Sequence, residues 1–290
     1  MADQPLSLSI EDDNALPIQQ QIFAILTNCL QSSASDSIDT AAKALDQLSP
    51  DKHPEDPARQ PLGDFLYSSW EPFHSIARQI PHTHPAMDKL VSVIRALKDL
   101  PPRQIHVEGG WGDYALWRDL PLFGETYYLA SNKDNANTAL SPTTLTTRNL
   151  NFHSYSARLM PLGIELDTYC IADISATLEG QYDSGKGKFR QIISDPTATP
   201  NVDHQMALVA EWFKHAGEAF YLKGTIIGGG PRGPLVKGPG KDEFSKERWG
   251  LWKERLGQFA ECQGLSEGTR DLARSIVGMM DGIEARRAVE

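Results

Sequence analysis

The sequence predicts an all-α fold, a single domain of about ten helices. Apolar residues recur at three- and four-residue steps along most of the chain, few runs alternate as strands do, and prolines and glycines fall between the periodic segments. Residues 1–61 read as an N-terminal helical segment with its linker, and residues 62–290 as the main helical domain.

Each helix has its own signature. Ile18, Ile22, Ile25, Leu26 and Leu30 make the first apolar face. Asp36 is placed to cap a second, short helix with Ile38, Ala41, Ala42, Leu45 and Leu48 inward. The connector from Ser49 to Pro61 holds four prolines and five charges, which marks a solvated loop. Leu62, Phe65, Leu66, Trp70, Phe73 and Ile76 then share a face, with Pro72 expected to kink or break that helix. Met87, Leu90, Val91, Ile94 and Leu97 form another segment that stops at Pro101 and Pro102.

The middle is less regular. Gly109, Gly110 and Gly112 precede a short segment bearing Trp117 and Leu120, and a polar tract follows. Ser141 and Pro142 open a helix expected to reach Leu159. Further helices are expected over Thr168–Leu178, Val202–Tyr221, Phe244–Phe259 and Ser266–Ile283. Before the last two lies a Gly/Pro-rich excursion, Gly224 to Gly240, with seven glycines and three prolines.

Composition narrows the function classes. A formal charge of −10 argues against binding bulk nucleic acid, whose affinity rests on Lys and Arg neutralising phosphates. Cys29, Cys170 and Cys262 are widely spaced and odd in number, which suits a reducing compartment and provides no zinc site. The N-terminal residues lack a signal-peptide pattern, and no apolar run nears the ~20 residues of a membrane span. A cytoplasmic location is the expectation.

Motif by motif, no cofactor is implied. Gly180, Gly185 and Lys186 match the spacing of a phosphate-binding loop, but the preceding segment is helical and Gly187 stands where Ser or Thr would hold magnesium. Gly180 is better read as a helix-ending residue. Glu71 and His74 make a single E-x-x-H pair, where a dimetal bundle needs two, so no metal site is expected. The glycines of IIGGGPRG lack the strand and helix of a dinucleotide site. Along SKERWGLWKERL the charges intermix, as on a solvated helix face, although Arg248 could be buried and paired.

The aromatic-rich middle is the feature that could bind something. Trp111, Tyr114, Trp117 and His106 could line an apolar pocket, with Glu108 and Asp113 on its polar rim. The competing reading makes the tryptophans core anchors and the glycines plain turns.

Several elements together resemble a helical family of unknown function, DUF3632. They are the W-x-x-L-P element at Trp117, Leu120 and Pro121, the stretch NFHSYSARL from Asn151 to Leu159, and the W-x-x-x-x-G-E helix from Trp212 to Glu218. The most specific is the G-P-x-x-K-G loop at Gly233–Gly238 followed by Phe244–Arg255. The resemblance spans about Leu62 to the C-terminus. It implies an all-helical fold and a fungal, intracellular setting, and brings no established activity. His153 and Tyr155 stand where that pattern tends to have Asn and Phe.

The expected function is a helical small-molecule-binding protein, a candidate cofactor-independent cyclase or isomerase of fungal secondary metabolism taking an apolar ligand. In this reading His153 is the acid–base or hydrogen-bonding group, Tyr155 a donor and Arg158 an anchor for a carbonyl or carboxylate. Trp117 and Trp249 are the walls. For Arg158 a buried structural ion pair is the competing role. The alternative function is a non-catalytic module that binds a protein partner.

Overall fold

The periodicities fold as helices in the computed structural model, which describes residues 6–56, 60–134, 140–183, 190–223, 232–237 and 244–288. The ten α-helices are α1 (Pro17–Gln31), α2 (Ser37–Gln47), α3 (Leu62–Gln79), α4 (Ala86–Lys98), α5 (Phe123–Lys133), α6 (Pro142–Leu159), α7 (Asp167–Leu178), α8 (Val202–Lys223), α9 (Lys246–Glu261) and α10 (Glu267–Arg287). The protein is therefore mostly all-α. Two short antiparallel hairpins complete the described residues: β1 (Arg103–Val107) with β2 (Gly112–Leu116), and β3 (Gln181–Tyr182) with β4 (Ile192–Ile193).

The chain divides into two compact units, Met1–Tyr155 and Ser156–Glu290, with the division inside α6. In the first unit α1 packs on α3 and α2 on α4, while α5 lies against α3. Its core is aromatic: Trp70 meets Trp117 edge-on at 5.7 Å and Phe123 at 5.1 Å. Helix α3 continues through Pro72, so of the expected kink or break the break does not occur. The segments on either side of the proline are both pinned in this core, with Phe65, Leu66, Trp70, Phe73 and Ile76 each at most 1 % exposed. Asn151 on α6 secures the end of α3: its amide donates to the Arg78 carbonyl (3.0 Å) and accepts from the His82 backbone N–H (2.9 Å).

In the second unit α8 and α9 pack on α10, and α7 packs on α8. Phe213, Phe220, Phe244 and Trp252 fill its centre. Two of the three expected caps form, while Asp36 stands at the N-cap of α2 without a side-chain capping bond. The Ser141 hydroxyl accepts from Thr144 N–H, and that of Ser266 from Thr269 N–H. Gly180 ends α7 in the left-handed region (φ 72°), where a Cβ would press on the Ile193 carbonyl. The remainder of the phosphate-loop match, Gly185 to Lys188, lies outside the described residues. So does most of the Gly224–Gly240 excursion, of which only Arg232–Lys237 are described.

The β1–β2 hairpin is the main departure from the expected helices. In β1, Ile105 and Val107 are buried while Gln104 and His106 are exposed, a period-2 pattern too short to stand out in the sequence. Gly109, Gly110 and Gly112, all with φ between 81° and 93°, make its turn.

Candidate functional site

The hairpin forms one wall of the candidate site, a cleft of about 750 Å³ in the first unit. His106, Glu108, Gly109 and Trp111 line it from the hairpin, and Leu62, Gly63, Asp64 and Tyr67 from the first turns of α3. Asp51 joins from the 3₁₀ turn Pro50–Lys52, and Leu122 completes it. Helix and hairpin approach closely because residue 63 is glycine: a Cβ there would sit 3.3 Å from Val107.

Two aromatic side chains at the cleft remain open to water, Trp111 at 43 % and Tyr67 at 45 % exposure. Large rings left this exposed in one concavity are what a binding surface offers. The backbone beside them is strained. Trp117 (φ 66°), Leu120 (φ 47°) and Leu122 (φ 63°) all occupy the left-handed region within six residues. Each such residue costs on the order of 1–3 kcal/mol, and such residues cluster at functional sites.

Strand pairing sets His106 directly opposite Asp113, with Nδ1 and Oδ1 2.7 Å apart. A carboxylate oxygen accepts, so in this pair Nδ1–H donates and the ring is oriented by Asp113. A His with its tautomer held this way can act as a general base.

Beneath the hairpin a polar knot anchors it. Asp46 on α2 accepts from the Trp117 indole N–H (2.6 Å), from Arg103 Nη1 (2.7 Å) and from Lys52. Burial opposes ionisation of Asp46, but the Lys52, Trp117 and Arg103 donors outweigh it and hold the carboxyl below its usual range. Arg103 Nε also reaches Asp51 at 2.7 Å, tying the floor of the cleft to β1.

The residues expected to form a site are thus divided. His106 and Trp111 line one cleft, as anticipated, together with Glu108 on its rim. Tyr114 is half-buried opposite Ile105, and the alternation of the strand puts it on the other face from His106. Trp117 is 2 % exposed and spent on Asp46, so it is a core anchor rather than a pocket wall.

On α6, His153 and Tyr155 are two positions apart and so point about 200° apart around the axis. His153 Nδ1 donates to the Asn149 carbonyl of its own helix at 2.8 Å. Tyr155 is fully buried between His74 and Phe152, and burial pushes its phenol well above its ordinary pKa. Arg158 reaches Glu211 at 3.5 Å, both buried, which is the structural ion pair weighed for it. Trp249 is 3 % exposed and donates its indole N–H to Glu284 at 2.8 Å.

Tyr67, Asp64 and Asp51 were not legible as site residues. Only the fold of the hairpin over α3 brings them to the glycine–tryptophan loop, and no local spacing signals it.

The motifs that carried the family resemblance explain themselves in the second unit. Glu179 is fully buried and accepts from Arg248 (Nη2, 3.0 Å), the Trp252 indole (2.7 Å), the Ser175 hydroxyl (2.8 Å) and the Gly233 N–H (2.7 Å). A Cβ at Gly233 would collide with Glu179, so the G-P loop needs its glycine. Arg255 Nε donates to the Leu178 carbonyl at 3.0 Å. The F-S-x-x-R-W-x-x-W-K-x-R pattern is therefore a structural lock around one buried carboxylate.

Searches of curated proteins and of solved structures gave no match. No helix among the described residues is long and apolar enough to cross a membrane. A family profile matches residues 70–256, which is more than half of the chain. It takes in the buried carboxylate lock of the second unit, and with it the hairpin and most of α3, so the chain belongs to DUF3632, a family described as a protein of unknown function.

Proposed function

We propose that the protein binds a small amphipathic molecule in the cleft between the β1–β2 hairpin and the start of α3. The observation that supports this is the cleft itself, about 750 Å³ with Trp111 and Tyr67 exposed in it. Sites of this kind hold an organic ligand by its apolar body and orient it with a few polar groups. The acid–base role passes from His153 to His106. His106 lines the cleft and has a carboxylate to hold its tautomer, whereas His153 Nδ1 is committed to its own helix.

The chemistry such a pair supplies is general acid–base proton transfer, a step that a cofactor-independent isomerase or cyclase can use. A tailoring step in secondary metabolism is the setting we propose from the aromatic-rich loop, with only its fungal part resting on the resemblance.

A thermal-shift screen across a metabolite panel tests the binding. A ligand at a hundred times its Kd adds about 2.7 kcal/mol of stability. That shift should disappear in Trp111→Ala, while the unliganded variant melts within a degree or two of wild type. Turnover of a hit should fall at least about a hundredfold in both His106→Ala and Asp113→Asn. A panel with no shift, from protein that copurifies with another polypeptide, would sink this reading in favour of an interaction module.

A further inference from the structure

We infer that the ligand of this cleft is an organic cation, an aromatic or alkyl amine held by its ammonium group. This inference rests on the cleft being a small-molecule site and adds the charge of what enters it.

The lining combines two features. Its exposed rings are Trp111 and Tyr67, and a tryptophan face is the strongest aromatic partner for a cation. Its ionised groups are carboxylates: Asp64 and Glu108, both exposed, and Asp51. Of these Asp51 is already matched by Arg103 at 2.7 Å, which leaves Asp64 and Glu108 as the acidic groups available to a ligand. Among the described lining residues there is no Lys and no Arg.

An anionic ligand would meet these carboxylates with no Lys or Arg in the lining to offset them, and like charges brought together are costly. A neutral ligand would use the rings and could donate a hydrogen bond to an acid, but would gain no charge attraction. An ammonium gains from both, through the ring quadrupole and through charge-assisted hydrogen bonds to carboxylate. Placement supports the same ligand. Asp64 stands on the first turn of α3 one helical turn before Tyr67, so both are available on one side of that helix. Glu108 and Trp111 stand together on the hairpin turn that faces them across the cleft.

Three probes with one ring and different head groups separate the outcomes: phenethylammonium, 2-phenylethanol and 3-phenylpropionate. Each is titrated into full-length protein carrying ¹⁵N-labelled tryptophan, and the Trp111 indole resonance, assigned by its loss in Trp111→Phe, reports binding. Phenethylammonium should move that resonance with a Kd at least about tenfold below that of the alcohol, with the propionate weakest. Asp64→Asn with Glu108→Gln should erase the tenfold preference by weakening phenethylammonium binding; both positions are exposed, so the fold tolerates the change. Equal or tighter binding of the alcohol or the propionate at Trp111 overturns the cation assignment and leaves the cleft reading intact. Retention of the preference in the double variant overturns it as well. Failure of all three probes to move Trp111 overturns both.

Discussion

The cleft of the first unit and the carboxylate lock of the second use the same residue types, and water separates their roles. In the lock, Glu179, Arg248 and Trp252 are each at most 2 % exposed, and every partner named for Glu179 comes from the protein. In the cleft the side chain of His106 is 66 % exposed, its partner Asp113 beside it is 83 % exposed, and Trp111 leaves part of its ring in solvent. A buried charge must be matched within the chain, because its desolvation costs several kcal/mol per ion. Groups in water carry no such obligation and remain available to a ligand. Residue type alone says little about role; burial decides it.

The largest effect should come from breaking the lock. Glu179→Gln leaves Arg248 charged and buried without its counter-ion, and should cost about 3–5 kcal/mol in urea denaturation. A loss below about 1 kcal/mol would mean that solvent reaches the pair and that the contrast with the cleft is false.

A smaller effect should separate buried from exposed histidine. His74 is enclosed by Phe123, Tyr127, Phe152 and Tyr155, and burial, with the charge of Arg78 beside it, pulls its pKa down to about 3. Its folded pKa lies below the unfolded value near 6.5, so the unfolded chain takes up the proton first. The contribution is complete above pH 6.5 and is lost as pH falls from there towards 3. Between pH 7 and pH 5 this amounts to about 2 kcal/mol. His74→Phe should flatten the slope of stability against pH in that window, measured by denaturant midpoints.

The smallest change in stability is expected at the cleft. Trp111→Ala and His106→Ala should each alter the free energy of unfolding by less than about 1 kcal/mol, since both side chains are exposed at the surface. A cost above about 2 kcal/mol would reclassify either residue as a structural anchor, as Trp117 proved to be.

Much of the fold was legible because helices announce themselves within short windows. Ser141 and Ser266 marked two helix starts, Gly180 a helix end, and the apolar steps of α1, α4 and α8 their inward faces. The β1–β2 hairpin escaped because five-residue strands offer too few alternations against a helical background. At Pro72 local rules predict a kink or a break, and the helix continues through it with the residues on either side buried.

The candidate site was half legible. Glycines next to a tryptophan and flanked by His106, Glu108 and Asp113 stood out as a loop that could bind, and two of the four lining residues expected there do line the cleft. Trp117 and Tyr114 had the same local credentials and went elsewhere. Trp117 was claimed by Asp46, seventy-one residues earlier in the chain. Tyr114 was sent to the opposite face by strand alternation.

What the sequence by itself determined is the helical class, most helix boundaries and the family, since these rest on periodicity, capping and spacing between near neighbours. Only the tertiary structure decided which polar groups are sealed in and which face water. Glu179 is separated by 69 residues from Arg248, and by 73 from Trp252. Tyr67 reaches the loop of Trp111 only because the hairpin folds back on α3. Desolvation depends on every atom that closes around a group, and those atoms come from across the chain. The role of a carboxylate or a tryptophan is therefore a property of the packed molecule, beyond the reach of any local stretch of its sequence.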